Sequence, residues 1–273
     1  MPRPHIHIAS IDDPRLEVYR DVRDRDLAGR HGVFMLEGHV VLDAALTRGP
    51  VALRSVLVSD RRVAAETALL DRVPEAVPVY VLPEAMMFDL VGFPIHRGLL
   101  AAGVRPVAPD AAGLLASLRG HPHATVLVLE GLTNHDNVGA CFRNAAAFGA
   151  DAVILDGACC DPFYRKAIRV SAGHVLSVPW AREATMSSVM DALEAEGYLS
   201  LALALAPDAG ALDDRWRPAP RLALLLGTEG AGLSPAIQAR ASARVVIPMA
   251  SGVDSLNVSV AGAVGLFATR WKE

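Results

Sequence analysis

Lysine is nearly missing from this chain: Lys166 and Lys272 stand against 24 arginines. Arginine presents a planar fork that grips phosphate or a base edge with paired hydrogen bonds, so the basic side chains here are of the kind that reads such groups. No excess of positive charge accompanies them. The 273 residues carry 26 basic and 30 acidic side chains, a net charge of −4. Divided at residue 120, the counts are 14 basic against 15 acidic, then 12 against 15. Neither part is a basic arm, so any nucleic-acid contact has to rest on local patches.

Cysteine is equally scarce. Cys141 is isolated and Cys159 and Cys160 are adjacent, which excludes a disulfide framework and leaves no zinc-ligand spacing. All three read as small buried apolar side chains, and no metal is expected. No apolar run approaches the ~18–20 uncharged residues of a membrane span. Met1-Pro2-Arg3-Pro4 is not followed by the apolar core of a secretory signal. These absences lead us to expect a soluble, cytoplasmic protein without a membrane partner.

There is ample material for a core: 52% of the residues are hydrophobic and 21% charged. The chain is long enough for two domains. Residues 14–27 predict a helix beginning with proline, its arginines and aspartates forming either a solvated face or a backbone-contacting surface. Strands at 33–38, 54–59, 77–82 and 97–104 then alternate with helices from His39, Arg61 and Pro83, predicting an α/β domain over residues 1–104. Pro106, Pro109, Gly113, Gly120 and Pro122 mark residues 105–123 as a linker around one short helix. From residue 124 the alternation restarts with an uncharged strand suited to burial on both faces. A helix follows at 138–148, with Asn137 placed to cap it and Gly149 to end it. A strand at 175–178 and a final helix at 257–270 belong to the same series, which predicts a doubly wound α/β domain of about six strands over 124–273.

Three strand-to-helix turns in this second part carry chemistry. The first, Glu130 to Ala146, contains Asn137-Val138-Gly139 and, six residues after Asn137, Arg143. An arginine on a mostly apolar helix holds either a structural partner or a substrate oxyanion. The second, Leu226-Gly227-Thr228-Glu229-Gly230-Ala231-Gly232-Leu233, has the glycine pattern G-x-x-G-x-G. That is not the dinucleotide fingerprint, and Glu229 would repel a pyrophosphate, so a backbone-lined pocket for an uncharged adenosine moiety fits better. The third runs from Ile247-Pro248-Met249 through Gly252 and Asp254 to Ser255-Leu256-Asn257-Val258-Ser259, with Asn257 as a candidate N-cap. All three follow strands, and in open α/β sheets ligands bind at the carboxyl ends of strands.

In order and spacing, N-V-G-x-x-x-R, L-G-x-E-G-x-G-L and I-P-M followed by S-L-N-V-S resemble the three motifs of the SpoU/TrmH family of RNA ribose 2′-O-methyltransferases, within the SPOUT superfamily. The resemblance covers residues 124–273. A weaker one, through Phe34-Met35-Leu36-Glu37-Gly38 and His96-Arg97-Gly98, links residues 1–104 to that family's small RNA substrate-binding domain. It implies a C-terminal α/β domain tied in a trefoil knot, a homodimer, and S-adenosylmethionine as cofactor. Gly227, Ile247 and Leu256, with Thr228 and Met249, are then expected at the cofactor, and Arg143, Asn137, Glu229, Ser255 and Asn257 around the reacting atoms. Asn134-His135-Asp136 departs from the family, which commonly has proline before the motif-one asparagine. His135 is accordingly either a loop or RNA-contact residue or a proton acceptor. The N-terminal domain tilts the expected substrate towards rRNA rather than tRNA. A nucleotide-dependent oxidoreductase is disfavoured by the glycine pattern, and a non-catalytic RNA-binding relative by the presence of both Arg143 and Asn257.

Overall fold

A computed structural model describes residues 4–20, 31–49, 51–92, 98–217, 219–252 and 255–270. The strands run β1 Ile6–His7, β2 Val33–Glu37, β3 Leu53–Ser59, β4 Val79–Leu82, β5 Leu99–Val104, β6 Ala124–Leu129, β7 Ala152–Leu155, β8 Trp180–Arg182, β9 Leu199–Leu203, β10 Gly210–Ala211, β11 Arg221–Leu226 and β12 Ala243–Val246. Among them lie helices α1 His39–Thr47, α2 Val63–Leu70, α3 Glu84–Val91, α4 Ala111–Ser117, α5 His135–Phe148, α6 Arg165–Val170, α7 Met186–Ala195, α8 Pro235–Arg240 and α9 Val258–Thr269. The chain divides into two compact units, Met1–Pro106 with Phe163–Ser177, and Val107–Pro162 with Val178–Glu273.

The first unit is built on a five-stranded sheet in the order β1-β4-β3-β5-β2, with β5 antiparallel to both its neighbours. Its core gathers Leu16, Tyr19, Met35, Leu57, Leu82 and Leu90. In place of a helix over 14–27 there is a 3-10 helix, Pro14–Tyr19, opened by Asp13, whose side chain accepts from the Arg15 amide. The remainder from residue 21, like His96, Arg97 and Asp254, lies outside the described residues. The edge strand β2 is covered by the Phe163–Ser177 segment. Phe163 stacks on Phe34 at 4.4 Å between ring centroids, and the buried Glu37 accepts from Arg165 at 2.7 Å. Covering an edge in this way hides a row of otherwise unpaired backbone groups.

This placement differs from the boundaries expected at 104 and 124. Residues 107–123 are not a tether: Ala111, Leu114, Leu115 and Leu118 are buried in the second unit's core with Val189, Met190 and Leu193 of α7. Asp110 caps α4 through the Gly113 amide, and Glu183 accepts from the Ala111 amide. The prolines and glycines there bracket a packed helix. The strand expected at 175–178 is also absent. Gly173 turns left-handed (φ 80°) and Ser171 Oγ accepts from the Val175 amide, producing the 3-10 turn His174–Leu176. The next strand forms later, as β8.

The second unit holds a seven-stranded, wholly parallel sheet in the order β10-β12-β9-β11-β6-β7-β8. The uncharged strands β6 and β7, and β11 beyond its first residue Arg221, are buried almost throughout, as a parallel sheet covered on both faces requires. Helix α9 lies against β11 because it offers glycine where the sheet comes close. A Cβ on Gly262 would stand 2.8 Å from Leu226 Cδ1, and one on Gly265 2.5 Å from Leu224 Cδ2.

Candidate active site

Four adjacent strands, β12, β9, β11 and β6, end on the same side of the parallel sheet, so the segments that follow them meet there. A cleft of about 490 Å³ opens above β12, β9 and β11. Gly227, Thr228, Glu229, Ile247, Met249, Ser255, Leu256 and Asn257 all line it. Those eight positions come from two of the three motif turns.

The glycine turn is folded back on itself. Thr228 and Gly232 exchange backbone hydrogen bonds of 3.1 and 3.0 Å, with Gly230 and Gly232 at positive φ. This leaves no room beside Gly227, where a Cβ would stand 2.1 Å from both Gly232 C and Leu233 N. Glu130, at the end of β6, braces the turn: its amide donates to Leu226 O and its carboxylate accepts from the Ser234 amide at 2.8 Å. Sequence reasoning missed Glu130 as a brace, although a carboxylate directly after an uncharged strand was a signal. It also missed Gln238, a cleft residue whose Nε2 donates to Leu233 O, and Leu203–Leu205 at the end of β9. Nothing in their sequence pattern marked the latter.

Asn257 joins the three turns. Its Nδ2 donates to Asn137 Oδ1 at 3.0 Å and to Glu229 Oε1 at 2.8 Å. Its Oδ1 accepts from the Ser259 amide at 2.9 Å and from Ser259 Oγ at 2.6 Å. Both amide protons and two acceptor sites are in use, which fixes the orientation of the side chain. Asn257 therefore caps α9 as expected. Asn137 does not cap α5. That task falls to Asn134, whose side chain accepts from the Asp136 amide, so the helix begins three residues early and turns the buried Asn137 towards Asn257.

Asn257→Asp should destabilise the protein more than Asn257→Ala. The alanine variant loses the hydrogen bonds, at about 1–3 kcal/mol, whereas the aspartate also sets a carboxylate beside that of Glu229. Like charges disfavour ionisation. The extra loss is therefore fully present at pH 8 and shrinks as pH falls and one carboxyl takes up a proton. Thermal melts of both variants at two pH values check this, and a pH-independent difference would refute it.

Arg143 is placed differently. It stands exposed on α5 and away from the lining of the cleft, and it makes no hydrogen bond or ion pair among the described residues. Among the described residues, Arg143 therefore forms no structural salt bridge, the other role open to it. Its neighbour Asn144 ties α5 to α9, donating to Ser259 O at 2.7 Å. His135 is the partly buried first residue of α5. Burial pushes Cys141 up to about 12 and Cys160 up to about 11, so neither is a thiolate nucleophile. Among the described residues no cluster of three or more His, Cys, Asp or Glu could hold a metal ion, and no helix is long and apolar enough to cross a membrane.

Residues 124–267 match the SpoU rRNA Methylase family. The chain belongs to that family. Its members are RNA 2′-O-ribose methyltransferases that use S-adenosylmethionine, and this protein is one of them. An uncharacterised tRNA/rRNA methyltransferase of Mycobacterium tuberculosis is 38% identical over 264 residues, 94% of this chain and 88% of that protein. The 23S rRNA (guanosine-2′-O-)-methyltransferase of Escherichia coli is 29% identical over 240 residues, 85% and 96% of the respective chains. The fold matches that of the rRNA methyltransferase from Sinorhizobium meliloti solved with AdoMet, with a TM-score of 0.77 at 24% identity over 96% of each chain.

Proposed function

We propose that this protein methylates a ribose 2′-hydroxyl of ribosomal RNA in the cytoplasm, and that it works as a homodimer with a trefoil knot in its second unit. The observation that carries the site assignment is the saturated Asn257 side chain, which locks the three motif turns to one another at the cleft. The knot rests on family membership alone, since threaded chains are otherwise very rare.

The cleft suits S-adenosylmethionine. Apolar Leu226, Ile247 and Leu256 offer surfaces for a flat base, and the absence of a side chain at Gly232, where nothing stands within 4 Å of a Cβ position, leaves peptide groups open to the base and ribose edges. Glu229 supplies a carboxylate at the same wall, compatible with a cationic ligand and not with a pyrophosphate. When bound, the cofactor supplies an activated methyl group. The chain's own task is to align a weakly nucleophilic hydroxyl with it and to ease loss of the hydroxyl proton. Arg143 keeps its proton and is no ordinary base. We assign it the phosphate next to the target ribose and the negative charge developing on the 2′-oxygen.

The preference for rRNA draws support from relatives that modify 23S rRNA. The test is transfer of labelled methyl from S-adenosylmethionine to undermodified rRNA and, separately, to tRNA, with mapping of the modified ribose. Label in rRNA is the expected result; label in tRNA alone would overturn the substrate assignment.

Dimerisation draws support from α9, where Val260, Val264 and Phe267 are 47%, 38% and 50% exposed. Their spacing puts them on one helix face, and a second copy of the chain would bury them. Val264→Asp should shift sedimentation from dimer to monomer and reduce methyl transfer. A variant still wholly dimeric would show that the subunits meet elsewhere.

A further inference from the structure

We propose that Gln238 is a specificity-determining residue of the cofactor cleft, whose side-chain oxygen Oε1 accepts from the 6-amino group of the adenine of S-adenosylmethionine. The inference rests on the methyltransferase reading above. Most of the cleft wall is apolar side chain or backbone, and Glu229 is its one ionisable side chain among the described residues. Asn257 has both amide protons engaged, and Thr228 Oγ1 turns back to Gly232 O at 3.4 Å. Glu229 and Ser255 stand exposed and are expected around the reacting atoms. Gln238 is half-buried, and one prong of its amide is in use: Nε2 donates to Leu233 O at 2.7 Å. A carbonyl oxygen can only accept, so the prong facing it is the nitrogen. Oε1 is thereby fixed as an acceptor, with no partner among the described residues.

The surrounding backbone holds that acceptor in place. Glu130 accepts from the Ser234 amide at 2.8 Å, and Ser234 O accepts from the Gln238 amide at 3.0 Å. Ile237, the preceding residue, is buried in the core of this unit. At the end of α8, Arg240 is tied to Asp191 and Glu194 of α7, the helix that leads into β9. Gln238 thus stands with α8 and α7, whereas Glu229 is tied through Asn257 to α9 and α5. Charge draws the sulfonium of the ligand towards the Glu229 carboxylate, which leaves the uncharged base to the other side of the cleft. An adenine edge presents N7 as an acceptor and the 6-amino group as a donor. A fixed acceptor pairs with the donor alone. A 6-oxo base would set oxygen against Oε1, with no proton between them.

Calorimetric titration of the full chain with S-adenosylhomocysteine and with its 6-oxo analogue, S-inosylhomocysteine, tests this role without any turnover. The wild type should prefer the amino ligand by roughly five- to a hundredfold, the loss expected when a polar group of the site is left unpaired. Gln238→Leu and Gln238→Met should each bind S-adenosylhomocysteine about three- to tenfold more weakly. Neither should bind S-inosylhomocysteine more weakly than the wild type does, so the preference falls by at least the same factor. A residue that merely shapes the cleft would weaken both ligands alike and leave the preference unchanged. Variants with the wild-type preference, or a wild type with equal affinity for the two ligands, overturn the role of Gln238 and leave the cofactor reading intact. A wild type that binds neither ligand would instead overturn the cofactor reading, and this role with it.

Discussion

Arg143→Ala should lower kcat for methyl transfer by about a hundred- to a thousandfold and leave the fold untouched. The magnitude is that of removing one preorganised donor from a developing oxyanion. The contrast with stability comes from the structure: Arg143 is exposed on α5 and has no partner among the described residues. Surface substitutions without such ties change stability within about 0.5 kcal/mol. Cofactor affinity should be equally unaffected, since Arg143 lies outside the lining of the cleft. Arg143→Lys should recover only part of the rate, because a lysine restores the charge without the two-pronged geometry. Single-turnover transfer at saturating RNA and cofactor, beside a calorimetric binding curve, separates these quantities. A rate within tenfold of wild type in the alanine variant would remove Arg143 from the reaction.

Gly227→Ala should abolish cofactor binding and cost about 3 kcal/mol or more of stability. The added methyl carbon would stand 2.1 Å from Gly232 C and from Leu233 N, and 2.3 Å from Gly232 O. All three are backbone atoms, so no side chain can rotate away, and the turn has to open. Overpacking of a well-packed region typically costs about 1–3 kcal/mol even where side chains can adjust. Opening the turn would also strain the Glu130–Ser234 brace and the Thr228–Gly232 pairing that shape one wall of the cleft. Gly230→Ala supplies the control. That residue has φ 91° but nothing within 4 Å of a Cβ, so the cost there is conformational only, about 1–2 kcal/mol. Calorimetric titration with S-adenosylmethionine and thermal melts of the two variants give the comparison. Equal effects at both positions would mean that conformation, rather than the close approach at Gly227, governs the turn.

Both predictions turn on residues legible in the sequence, but for different reasons. Gly227 stands at the end of an apolar strand inside a glycine pattern, and Arg143 stands at a fixed distance from Asn137. The roles of other residues were not legible. Asn137 looked like a helix cap because capping depends on local sequence, yet Asn134 sits three residues earlier and competes for the same task. Only the packing of α5 against α9 settles which asparagine turns inward. Residues 107–123 looked like a linker because proline and glycine interrupt helices locally, and such residues are equally common at the ends of a short packed helix. The burial of Leu114 and Leu115 against α7 involves residues some 75 positions away, which no local pattern reports.

By itself, then, the sequence determined most of the alternation of strands and helices, the strand misplaced at 175–178 excepted, and the three motif turns at the ends of β6, β11 and β12. These depend on hydrophobic periodicity, on glycine and on short-range capping, all of which act within a few residues. Tertiary structure decided that the Phe163–Ser177 segment belongs to the first unit, closing its β2 edge around the buried Glu37. It also decided that Asn257 is the single side chain at which Asn137, Glu229 and the α9 cap meet. Those outcomes depend on contacts between residues 28 to 128 positions apart in the chain, and contacts at that separation exist only once the sheets have fixed which strand ends are neighbours.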